Sequence, residues 1–189
     1  LGGLDFMELG NLFLWEPEKN WYPLLNCGYL LPPTAGSDLP NAPYRDWWQP
    51  FLGSIRTYVK TGGGNGWKVW SEALQRGEVF VSSGPVIHLS VNQAGPGGRI
   101  DLPVSGGEVD IQATLESPRP VRALELIHNG KVIASATPGE KRMEIRTRVR
   151  ITSSSWLAVR GTGAPLPAMK QHEVAHSGVV QVQVGGRRI

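Results

Sequence analysis

The sequence predicts an α+β chain in two units: a mixed α/β unit over residues 1–84 and an immunoglobulin-like β-sandwich over residues 85–189. Three observations predict it. Six of the seven tryptophans (Trp15, Trp21, Trp47, Trp48, Trp67 and Trp70) lie at or before residue 70, leaving Trp156 alone in the rest. The charge changes sign within an overall +3, from net −2 over residues 1–84 to net +5 over residues 85–189. After Ser83-Gly84-Pro85, where Gly and Pro signal a boundary, apolar and polar residues alternate through about seven short segments separated by turns.

In the first unit, Leu4 to Leu9 is an apolar run bounded by glycines and reads as a buried strand. Trp21 to Cys27 forms a short helix that Gly28 stops, and Tyr29-Leu30-Leu31 runs extended into Pro32-Pro33. Ile55 to Lys60 is a strand. The clearest helix spans residues 66–76, with Asn65 as its cap, Trp67, Trp70, Ala73 and Leu74 on one face, and Gly77 as its stop. Val79-Phe80-Val81 is a strand. In the second unit, Val86 to Val91 is a strand followed by a Gly/Pro turn over residues 94–98. Glu108 to Leu115 puts Val109, Ile111 and Ala113 on one face. Asn129-Gly130 between Leu124–Ile127 and Lys131–Ala134 is a hairpin signal, because both residues tolerate the positive φ of a type I′ turn. Arg142 to Ile151 alternates with the arginines on one side, and Ser155 to Arg160 and Val179 to Val184 complete the set.

Composition bounds the function. At 189 residues with 40% hydrophobic residues, the chain can bury a core. One cysteine, Cys27, excludes an internal disulfide framework and any multi-cysteine zinc site, and Cys27 itself reads as a core residue. No apolar run reaches the roughly 20 residues of a membrane helix. Leu1 rather than methionine opens the chain, with no signal-peptide pattern, from which a processed or excised piece of a longer protein is expected.

The stretch Pro32-Pro33-Thr34-Ala35-Gly36-Ser37-Asp38 is the most suggestive for chemistry. A carboxylate where a strand emerges into a tight loop can point into a cleft as a metal ligand or base, although an Asp in such a turn also bonds its own backbone. Trp21 to Gly28 running into this stretch resembles the last part of the PHP (polymerase and histidinol phosphatase) superfamily, most closely its CehA/McbA-type metallohydrolase branch. Arg56 to Val59, the helix Trp67 to Arg76, Gly77 to Pro85, and Ala175-His176-Ser177 before the last strand also fit.

This resemblance implies the C-terminal portion of a PHP-type (β/α)7 barrel over residues 1–84, followed by the sandwich. It implies a divalent metal (zinc, manganese or iron) in the intact protein, hydrolysing a small ester or phosphoester with metal-activated water. Asp38 matches the family's late metal ligand. The His-x-His motif of such sites is absent, and the four histidines (His88, His128, His172, His176) all lie in the second unit. The chain is therefore expected to be the last third or so of an enzyme, silent alone because most ligands lie elsewhere. No cofactor is expected in the chain by itself.

Other residues carry two readings each. Glu8 ends a strand and faces either the Asp38 cleft or solvent. His172-Glu173-Val174-Ala175-His176 has the spacing of a zincin motif, but that motif needs a helix, and its β-rich surroundings suggest loop histidines. Arg142, Arg146, Arg148 and Arg150 suit an anion or the wet face of an edge strand; without interleaved aromatics, no nucleic-acid partner is expected. Trp15, Trp21, Trp47 and Trp48 suit a glycan groove or a core, which leaves a non-catalytic module binding glycan or protein as the alternative function. Gly62-Gly63-Gly64-Asn65-Gly66 lacks the ending of a phosphate loop and reads as a turn. Homo-oligomerisation through exposed tryptophans is expected of a fragment, and a sandwich appendage leans towards an exported, periplasmic protein.

Overall fold

The computed structural model describes residues 3–10, 15–37, 52–136, 141–166 and 171–189. Among these, strands take 49% and helix 11%. The first residues give strand β1 (Met7–Glu8), helices α1 (Pro17–Asn20) and α2 (Tyr22–Asn26), and strand β2 (Pro33–Thr34). Next come β3 (Arg56–Val59), α3 (Trp67–Gln75) and β4 (Val79–Ser82). The remainder is all strand: β5 (Val86–Val91), β6 (Arg99–Leu102), β7 (Gly107–Glu116), β8 (Ala123–His128), β9 (Lys131–Ala136), β10 (Arg142–Ile151), β11 (Ser155–Leu166), β12 (Gln171–Ser177) and β13 (Val180–Val184).

Two sheets face each other. The smaller runs β10-β7-β5, antiparallel throughout. The larger has eight strands and centres on β11, which pairs with β8 on one side and with β12 and β13 on the other. β12 continues outwards to β4 and β3, β13 pairs in parallel with β6, and β8 pairs with β9. The period-2 pattern decides which side chains meet. Val109, Ile111, Ala113 and Leu115 from β7 and Ile87, Leu89 and Val91 from β5 turn inwards onto Leu124, Leu126, Leu157, Val159, Val180 and Val182, all of them buried.

The outer face of the larger sheet is covered too. Leu9, Trp21, Tyr22, Leu25 and Ala35 from the first 37 residues pack on Ile55, Val81, Ile127, Trp156 and Ala158. The result is three layers: a three-stranded sheet, an eight-stranded sheet, and a cap of short helices and the small β1–β2 pair. This corrects the expected barrel portion. A (β/α)7 barrel alternates parallel strands with helices, whereas the described residues up to 84 hold one parallel pair of two-residue strands, and β3 and β4 are antiparallel partners within the large open sheet. The reason is burial. The outer faces of β8, β11, β12 and β4 are apolar, and the N-terminal segment covers them.

Local signals explain the helix ends. Gly28 has φ +83° and Gly77 has φ +76°. In both places the glycine N–H and the next N–H donate to carbonyls of the last turn: Gly28 to Leu25 and Tyr29 to Leu24, Gly77 to Leu74 and Glu78 to Ala73. These are Schellman endings, which need a residue at ease with positive φ. The start of α3 differs from expectation: Gly66 takes the cap position with no side-chain capping bond, so Asn65 is not the cap. Asn129 (φ +48°) and Gly130 (φ +86°) make the expected turn between β8 and β9. Among the described residues no helix is long and apolar enough to cross a membrane.

Candidate functional site

The parallel pair is built by Met7 N donating to Pro32 O at 2.9 Å and Leu9 N donating to Thr34 O at 2.8 Å. Two strands so short depend on neighbours. The Thr57 hydroxyl of β3 supplies them by accepting from Ala35 N and donating to Ala35 O, both at 3.0 Å. Beyond it, the Ser37 hydroxyl accepts from Gly53 N at 2.9 Å and donates to Ile55 O at 3.5 Å. The backbone is thus pinned up to the residue before Asp38, and Asp38 itself lies outside the described residues, as do Trp47 and Trp48.

Glu8 stands at the C-terminal end of β1, exposed, with its Oε1 3.6 Å from where a side chain on Gly36 would begin. A Cβ at position 36 would be in ordinary contact with this carboxylate. The chain therefore brings Glu8 to the strand end from which Gly36-Ser37 leads into Asp38. Carboxylates are hard oxygen donors suited to divalent cations, but one or two do not hold a catalytic metal. Among the described residues no three His, Cys, Asp or Glu side chains come together. The described residues thus do not by themselves constitute a site for the implied metal.

The histidine pair is taken apart by the strand it lies on. Four residues along β12 separate His172 from His176 by about 13 Å at ~3.3 Å per residue, too far to share a metal. His172 lies beside Arg122, 3.2 Å from Nη1. Glu173, on the other face, is buried; Arg119 pairs with it and Ala164 N donates to it at 3.2 Å. Gly84 and Gly163 make room for this carboxylate, since a Cβ at either would fall within 2.8 Å of it.

His176 is fully buried in an aromatic nest that the residue pattern did not reveal. Its Nδ1–H donates to Ser177 O at 2.8 Å, leaving Nε2 to accept from the Tyr22 hydroxyl at 2.6 Å. Trp21 meets its ring edge-on with centroids 5.2 Å apart, and Tyr22 lies 5.1 Å from Trp156, whose indole N–H donates to Asn26 Oδ1 at 2.8 Å. Burial holds the imidazole neutral, lowering its pKa from 6.5 to about 4, with the nearby Arg160 charge adding to the effect against the bond to Ser177. Burial raises the Tyr22 phenol above its ordinary value. The available signal was small residues, Ala175 and Ser177, flanking a histidine in an apolar stretch. The nest is a structural clasp between α2 and the large sheet, with both nitrogens of the ring engaged.

Three further readings resolve. Cys27 is exposed rather than part of the core, because it follows α2 where the chain turns outwards at Gly28. Arg142, Arg146 and Arg148 lie along edge strand β10 and pair with Glu116, Glu144 and Asp110, so that stripe is largely neutralised; Arg148 and Arg146 hold the Asp110 and Glu144 carboxyls below their usual range. Trp21 is in the core, and Trp67 is 76% exposed, stacked on Trp70 at 5.3 Å. No protein-family model matches this chain, and no curated protein matches it.

Proposed function

We propose that this chain is the C-terminal part of a metal-dependent hydrolase of small esters or phosphoesters, to which it contributes Asp38 as one metal ligand and Glu8 as a further carboxylate. One observation supports this above the others. β1 and β2 run parallel, joined through α1 and α2, and Glu8 and the Gly36-Ser37 turn gather at their C-terminal ends. Ligand sites of α/β units lie outside the carboxyl ends of parallel strands. A divalent ion held there would supply a more acidic water and charge stabilisation for an ester or phosphoester oxygen. Ser37 and Thr57 fix the backbone that carries Asp38.

The test is made on the longest natural product carrying this sequence, loaded in turn with zinc, manganese and iron(II) and assayed with chromogenic phosphodiesters and carboxyl esters. Metal-dependent turnover is expected. Asp38→Ala should reduce it by more than the about 10–100-fold that loss of an outer-shell partner costs. Metal-independent turnover, none at all, or an unaffected Asp38→Ala variant overturns the reading.

The second reading, a non-catalytic module binding glycan or protein, draws on the exposed Trp67–Trp70 stack, since a bare indole face accepts sugar rings or a partner's side chains. Trp67→Ala should abolish such binding while leaving any hydrolysis intact.

A further inference from the structure

We propose that the cleft between the two sheet edges is a binding site for a small apolar anion, an aryl or short acyl group carrying one carboxylate. The cleft encloses about 970 Å³ between β3 and β4 of the large sheet and β5 of the small one. That is at the upper end of the size of small-molecule sites. None of its lining residues belongs to β1 or β2, so it is separate from the strand end that carries Glu8.

Its shape follows from the sequence. Among the described residues β3 and β5 are each the last strand of their sheet, and no further described strand fills the gap between them. Half-buried Val59 and Phe80 present its apolar floor, the neighbouring Ile87 and Leu89 being turned into the core, and Phe80 is held flat by stacking on Tyr58, rings 4.6 Å apart and 6° from parallel. One wall is bare backbone. At Gly97, with φ +80°, a Cβ would stand 2.2 Å from Arg76 O, so the turn has to be glycine there and sends no side chain into the space.

The charge at the rim selects the ligand. Arg76 is engaged by Glu78 through two bonds of 3.0 and 3.1 Å. Lys60 is exposed on the lining and makes no ion pair among the described residues. An apolar floor under one uncompensated cation complements an apolar body with a single negative head. A neutral ligand forgoes the ion pair, and a cation is repelled.

The experiment titrates the chain with 2-naphthoate and with neutral 2-naphthamide, following backbone amide shifts. Saturable shifts are expected at Lys60, Phe80 and Gly97, with a Kd near 1 mM or tighter for a ligand of this size. Lys60→Gln should weaken naphthoate about two- to fivefold and leave naphthamide unchanged, the range of an exposed ion pair. His88→Trp, at an exposed position on the cleft wall, should close the space and abolish both. Equal affinity for acid and amide, insensitivity to Lys60→Gln, shifts elsewhere, or no saturation each overturns the proposal. Because the readout is binding to this chain, its failure is independent of any hydrolytic activity.

Discussion

His176 concentrates the energetics of the cap in one side chain. Its ring has two polar nitrogens with no access to water, and each finds one partner: Ser177 O for Nδ1–H, the Tyr22 hydroxyl for Nε2. A buried polar atom left without its partner costs about 1–3 kcal/mol. Tyr22→Phe removes the donor and little volume, so urea unfolding at pH 7 should show a loss of that size. The same burial makes stability depend on pH. The unfolded chain takes up a proton near pH 6.5, while the folded chain holds it off until about pH 4. The contribution is therefore complete above pH 6.5 and declines as pH falls towards 4, by about 3 kcal/mol at ~1.4 kcal/mol per pH unit. His176→Phe should flatten that slope. His128, also held low by burial, adds the same sign to both proteins and leaves the difference intact. An unchanged slope in the variant would assign the pH dependence to other groups.

At the scale of elements, pattern length decided what the sequence could reveal. β7 and β10 each run ten residues, and their alternation fixes which face is buried. β6 has four residues, Arg99–Leu102, too few for a period of two to stand out. β12 was hidden by chemistry: His172, Glu173 and His176 read as loop histidines or a metal motif until β4 and β11 claimed the segment on both sides. At the Glu8 corner, the strand-end carboxylate and the Gly-Ser turn were legible locally, whereas the Thr57 and Ser37 bonds depend on β3, distant in sequence. Glycine positions carry the junctions. Gly97 and Gly186 both have positive φ, but a Cβ on Gly97 strikes two backbone groups while one on Gly186 meets nothing within 4 Å. Gly186→Ala should cost about 1 kcal/mol from backbone strain alone. Gly97→Ala adds a clash between main chains and should exceed about 2 kcal/mol. Equal midpoints in a urea titration would show that the turn at residues 95–98 shifts freely against α3.

At the scale of the whole molecule, the eight-stranded sheet is buried on both faces, and its outer face depends on a segment that the sequence suggests belongs to a different unit. The tryptophan and charge asymmetry is real, and packing crosses the boundary at residue 84: Trp21, Tyr22 and Leu25 bury themselves on Ile127, Trp156 and Ala158. Three polar links cross the same layer: Tyr22 to His176, Asn26 to Trp156, and Glu18 to Arg160, which also bonds Glu125 at 2.5 Å. Removing residues 1–51 should therefore expose a contiguous apolar patch around Trp156, leave His176 Nε2 without the Tyr22 hydroxyl and leave Arg160 with Glu125 but not Glu18. Sedimentation should then show self-association of the shortened chain at concentrations where the 189-residue chain sediments more slowly. Trp156 emission should shift to the red. A shortened chain that stays monomeric, with unchanged unfolding midpoint, would mean that the outer face of the sheet does not depend on its cap. The large sheet would then be a self-sufficient body on which the N-terminal cap, with Glu8, is merely carried.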